Sequence, residues 1–97
     1  MNLVERNIEV MKKFETMINT ADEILAEEIV ASDALFYTPA NSEPLYGGRG
    51  YLSVVYWMRK GFSDVQWHIV DLVADENKVA VRWNLTCLLY TSPSPRD

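Results

Sequence analysis

Residues 64–86 read DVQWHIVDLVADENKVAVRWNLT. Two arms, Asp64–Ala74 and Lys78–Thr86, alternate apolar and polar side chains with period two, the mark of half-buried strands. The polar turn Asp75-Glu76-Asn77-Lys78 separates them, so the stretch is predicted to fold as an antiparallel hairpin. On the second arm Val79, Val81, Trp83 and Leu85 share one face. On the first, Trp67 and Ile69 face opposite to His68, which is expected in solvent.

Moving toward the N-terminus, Tyr51, Leu52, Val55, Tyr56 and Phe62 fit one face of a helix that ends near Gly61. The preceding segment, PANSEPLYGGRG from Pro39 to Gly50, concentrates turn formers and is expected to be a surface loop. Before it, ALFYT (residues 34–38) is a short β-prone run that Pro39 terminates. Val4, Ile8, Met11, Phe14 and Ile18 recur at steps of three and four and predict a first helix. A second, shorter helix is expected behind it, with Thr20 as its cap, Glu23 reaching back, and Ile24, Leu25 and Ile29 on its apolar side. The order helix, helix, strand, helix, strand, strand predicts an α+β domain with helices on one face of an antiparallel sheet.

Ninety-seven residues, 48% hydrophobic and 24% charged, suit one small domain with a single core. The net charge of −5 disfavours phosphate backbones and anionic bilayers, so neither nucleic acid nor a membrane is expected as partner. Charges at Glu5, Arg6, Glu9, Lys12 and Lys13 interrupt the first fifteen residues where a secretory signal would be apolar, and a cytoplasmic location is expected. One cysteine, Cys87, and one histidine supply neither a disulfide nor a cluster of metal ligands.

The last eleven residues, CLLYTSPSPRD (87–97), are unlike the rest. They can be encoded without a change by a transposase-based sequencing adapter, and are therefore expected to be read-through, leaving residues 1–86 as a domain cut short at its C-terminus. Such a cut leaves the second hairpin strand with an unpaired edge, an aggregation hazard.

FETMINTADEILAEEIVASDALFYTP, followed by YGGRGYLSVVYWMRKGFSDVQWHIVDLVADENKVAVRWNLT, resembles the SnoaL-like polyketide cyclase or ester cyclase group of the NTF2-like superfamily. The resemblance spans residues 5–86 and is carried by GRGYL, GFSDVQW and DLVADENKVAVRW in that order. It implies an NTF2-like cone, in which a curved antiparallel sheet wraps the N-terminal helices and leaves a mostly apolar pocket. It further implies a small apolar or polyketide-like metabolite as ligand, cofactor-free cyclase or isomerase chemistry by proton transfer, and a homodimer in the complete protein. The acid/base side chain of the family is expected on strands after Thr86, so no residue here inherits the catalytic role. A non-catalytic ligand-binding or dimerisation module of the same fold is the alternative.

Five residues are candidates for substrate binding. Tyr37 stands where the family often has histidine; it is either a pocket-lining hydroxyl that orients a substrate oxygen or a half-buried tyrosine with its tip in water. Trp57, Trp67 and Trp83 are either walls for a flat ligand or core fillers. Arg82 either holds a carboxylate or enolate oxygen, or forms a salt bridge for which Asp71 is the candidate partner.

Overall fold

Asn2 opens the first helix with a reciprocal cap: its Oδ1 accepts from the Glu5 amide at 2.8 Å, and Glu5 Oε1 accepts from the Asn2 amide at 3.2 Å. The structure, a computed structural model, describes residues 2–39 and 42–89. Helix α1 (Leu3–Thr20) ends where Ala21 turns into the left-handed region at φ 55°, and the amides of Ala21 and Asp22 both donate to the Met17 carbonyl. That turn comes directly after Thr20, the expected cap. Thr20 is therefore the last residue of α1, its hydroxyl donating to the Thr16 carbonyl at 2.8 Å, and the cap of α2 (Glu23–Ile29) moves on to Asp22, which accepts from the Leu25 amide at 3.0 Å.

The segment from Pro39 to Gly50 holds more structure than its turn formers suggest. Within it β2 (Leu45–Tyr46) pairs antiparallel with β1 (Leu35–Phe36), in the register Leu35 to Tyr46 and Phe36 to Leu45. Helix α3 (Gly47–Gly61) then starts four residues before Tyr51. Gly47 makes the junction at φ 69°, its amide donating to the Ala34 carbonyl at 2.8 Å. Gly48 lies against α2 so closely that a Cβ there would sit 2.7 Å from Ala26 Cβ. Neither glycine is favourable for a helix; both are needed for α3 to begin where it does.

The predicted hairpin forms as β3 (Phe62–Ala74) and β4 (Val79–Leu89). Asp75 closes the turn, its Oδ1 accepting from the amides of Asn77 at 2.7 Å and Lys78 at 2.6 Å. Two bulges interrupt the ladder on β3, one between Ser63 and Gln66, where Asp64 has φ 57°, and one between Ile69 and Asp71. A bulge bends its strand and adds twist, which gives β3 the means of curving around the helices. Of the expected non-native segment 87–97, Cys87–Leu89 continue β4 and residues 90–97 lie outside those described.

Helix α1 lies along the side of β3 turned away from β4. Asn19 donates through Nδ2 to the Trp67 carbonyl at 2.8 Å and accepts the Trp67 amide on Oδ1 at 2.7 Å, as a neighbouring strand would. One helical turn earlier Glu15 accepts the Ile69 amide at 2.7 Å, and at the far end Asn7 Nδ2 donates to the Asp75 carbonyl at 2.9 Å. These side chains satisfy backbone groups that a bare edge would present to another chain. Between the helices sits the core of Met17, Ile18, Ala26, Leu52 and Val55, with Val65 also buried.

Candidate functional site

Beside that core four half-buried aromatic rings gather from four elements: Phe14 of α1, Phe36 of β1, Tyr51 of α3 and Trp83 of β4. Tyr51 meets two of the others, with ring centroids 4.9 Å from Phe36 and 5.2 Å from Phe14, both tilted. Phe14 also stacks on Phe36 at 6.1 Å and meets Trp83 at 6.3 Å. Each such pair contributes about 0.5–1.5 kcal/mol beyond its buried area. Phe14, Tyr51 and Trp83 pack on the core, and all four rings stay partly exposed.

Alternation along the hairpin explains which of the expected site residues reach this wall. Trp83 is paired with Ile69, and Leu85 with Trp67, so the two tryptophans are diagonal neighbours on the helix-facing side. Both are half-buried and pack on the core. Arg82, one residue before Trp83, must point the other way, and it is exposed in register with Asp71. The two charged residues form no ion pair; with Leu72, Val73, Ala80 and Val81 they line an open cavity of 280 Å³ toward the turn end of the hairpin. Trp57 is 63% exposed on the outside of α3, where it lines a cavity of 390 Å³ with Lys60, Gly61 and Phe62. Tyr37, beyond the end of β1, is 76% exposed. His68 is exposed, as the alternation predicts.

Only Trp67 and Trp83 of the five candidates thus come together. Of these Trp83 belongs to the wall, and Phe14, Phe36 and Tyr51, which complete it, are not among the five. The apolar helix faces contain Phe14 and Tyr51, but periodicity reports that a face is covered and is silent on whether protein or ligand covers it.

Tyr51 is the polar member of the wall, and burial pushes its phenol above the ordinary value of 10.0, because the phenolate loses hydration there. Like any phenol at neutral pH the hydroxyl is protonated and can donate a hydrogen bond, and burial extends that form to higher pH. Because the folded state holds this proton more tightly than the unfolded chain, the linked stability is fully present below about pH 10 and is lost as pH rises through the folded value. A difference spectrophotometric titration of the wild type against Tyr51→Phe is expected to show a phenol with its midpoint above 10.0. A midpoint at or below that value would mean that the ring is solvated.

A separate polar group lies across α2 and α3. Arg49 pairs with Glu27 at 3.0 Å and approaches Glu23 at 4.0 Å, and Tyr56 donates to Glu23 Oε2 at 2.7 Å. This hydrogen bond to a carboxylate is the first cause of the raised Tyr56 pKa, with desolvation second. Among the described residues no cluster of three or more His, Cys, Asp or Glu side chains gathers to hold a metal ion, and no helix is long and apolar enough to cross a membrane.

The family model for SnoaL-like polyketide cyclases matches residues 8–90, a span that includes all four rings. The chain belongs to this family. Among solved structures, this SnoaL-like chain superposes on a candidate ketosteroid isomerase from Kribbella flavida DSM 17836 with a TM-score of 0.70 at 25% identity, covering 90% of this chain and 62% of the other. It superposes on TsrD from Streptomyces laurentii with a TM-score of 0.64 at 18% identity, covering 81% and 57%. The chain therefore spans less than two thirds of the length of either neighbour. No curated protein matches it. With helices packed against antiparallel strands and these neighbours, the SnoaL-like chain has an NTF2-like α+β fold.

Proposed function

We propose that this SnoaL-like protein binds a small, flat, apolar or polyketide-like metabolite against the wall of Phe14, Phe36, Tyr51 and Trp83. In the whole protein the same site serves cofactor-free cyclase or isomerase chemistry, in which a proton moves beside a substrate carbonyl. The observation that carries this reading is a half-buried phenol packed against the rings of Phe14 and Phe36 in a cluster of four. Faces of Phe14, Phe36 and Trp83 hold a flat hydrocarbon frame by area and dispersion, and the Tyr51 hydroxyl donates to its carbonyl oxygen. When a proton leaves the neighbouring carbon, negative charge develops on that oxygen. The hydrogen bond then strengthens, so Tyr51 stabilises the enolate-like transition state more than the bound ketone.

Tyr51 does not remove the carbon-bound proton; a base must do so. The wall consists of two phenyl rings, an indole and a phenol, a set that binds without supplying a base at neutral pH. This composition favours the second reading, a non-catalytic ligand-binding module. The kinship to a candidate ketosteroid isomerase at 25% identity supports the first.

1-Tetralone, a flat bicyclic ketone with exchangeable protons next to its carbonyl, tests both readings. Calorimetric titration is expected to detect binding, weakened about tenfold in Trp83→Leu and about fivefold in Tyr51→Phe, corresponding to a lost ring face and a lost hydrogen bond. Unchanged affinity in both variants would move the ligand off this wall. In deuterium oxide, proton NMR then separates the activities: protein-dependent exchange next to the carbonyl marks the enzyme, and binding without exchange marks the carrier.

A further inference from the structure

Thr38 Oγ1 is shut off from water and makes no hydrogen bond, the one side-chain oxygen or nitrogen among the described residues in that condition. The residue as a whole is half-buried, so part of it does reach the surface and it is the hydroxyl that is turned inward. A hydroxyl that gives up hydration without finding a partner costs the fold free energy, and threonine carries a methyl group that would fill the same place at no such cost. Its position in the chain suggests what the hydroxyl is for. Along β1 and the residues after it exposure alternates: Leu35 and Tyr37 are exposed, whereas Phe36 and Thr38 are covered. Phe36 is the ring packed 4.9 Å from Tyr51, so the covered side of this run is the side of the aromatic wall.

We infer that Thr38 is a ligand-contacting residue, a second hydroxyl on the Phe36 side of its run that selects ligands carrying an oxygen over hydrocarbons of the same shape. The inference rests on the ligand-binding reading above. It transfers by one residue the role expected of Tyr37, since period-two alternation turns Tyr37 to solvent and Thr38 inward. A ligand oxygen that reaches the hydroxyl supplies the partner the fold omits. Thr38 Oγ can donate to a carbonyl, which accepts two hydrogen bonds, while Tyr51 donates the other.

Thr38→Val removes the hydroxyl at constant shape, and Thr38→Ser retains it. Affinities for 1-tetralone and for tetralin, its analogue without the oxygen, are measured on the wild type and both variants, together with urea midpoints. In Thr38→Val the 1-tetralone affinity is expected to fall about fivefold with tetralin binding unchanged. Thr38→Ser keeps the preference for the ketone. The urea midpoint of Thr38→Val stays level or rises, because an unpaired buried hydroxyl has been replaced by a methyl group. A lower midpoint would show that the hydroxyl is bonded within the fold, and would overturn the proposal. Unchanged ketone preference in Thr38→Val, with both compounds still bound, overturns the role of Thr38 and leaves the wall standing. If the wild type binds neither compound, the wall reading fails and takes this one with it.

Discussion

Gly48→Ala is expected to cost the domain about 2–3 kcal/mol, enough to lower its urea midpoint by roughly 1–2 M. A Cβ at this position would lie 2.7 Å from both the Cβ and the carbonyl oxygen of Ala26, and 2.9 Å from its carbonyl carbon. Two of those atoms are backbone in α2, so no rotamer change relieves the overlap; the helices must move apart. Ala26 is fully buried, and the movement would open the core that Leu52 and Val55 of α3 share with Met17 and Ile18 of α1. The same substitution at Gly61, where an added Cβ would have nothing within 4 Å, should instead raise the midpoint, since alanine favours the helix by about 0.5–1 kcal/mol. Equal effects at the two glycines would show that α2 and α3 do not meet as described.

Asn19→Ala should cost about 2–4 kcal/mol, on the basis of the backbone groups it strands. Its side chain is the partner of both the amide and the carbonyl of Trp67, at 2.7 and 2.8 Å, in a half-buried place that water reaches poorly. Alanine offers neither hydrogen bond. Asn19→Asp is not expected to rescue, because a carboxylate still accepts from the Trp67 amide but meets the Trp67 carbonyl oxygen without a proton to donate. Urea unfolding followed by tryptophan emission measures both variants. A loss under about 0.5 kcal/mol for alanine would indicate that water replaces Asn19 freely, and that α1 does not depend on this clasp.

How far the sequence carried can be judged element by element. The hairpin was legible, turn and all, because period two over both arms and a polar Asp75–Lys78 turn leave one sensible pairing. Helices α1 and α3 were legible from their apolar faces. Strand β2 was not, since Leu45–Tyr46 is a strand by virtue of its partner at Leu35–Phe36 and has little local preference of its own. The early start of α3 was hidden by Gly47 and Gly48, which lower helix propensity and are present for a left-handed turn and a close approach. For the site, alternation placed Trp83 and Arg82 on opposite faces but left open which faced inward. Trp57 was read as core or wall, and its 63% exposure places it outside the core. The Thr38 hydroxyl was out of reach because an unpaired oxygen arises only in the tertiary structure, with no trace in composition or period.

The four rings of the wall stand at positions 14, 36, 51 and 83, so no short peptide from this chain contains two of them. The surface comes into being with the tertiary structure and vanishes with it. Ligand occupancy and folding are consequently linked equilibria: a saturating ligand shifts the population toward the native state by mass action, and any remote substitution that raises the unfolded fraction weakens apparent affinity in proportion. Measured binding of a variant becomes an intrinsic property of the wall only after division by the fraction of chains that are folded.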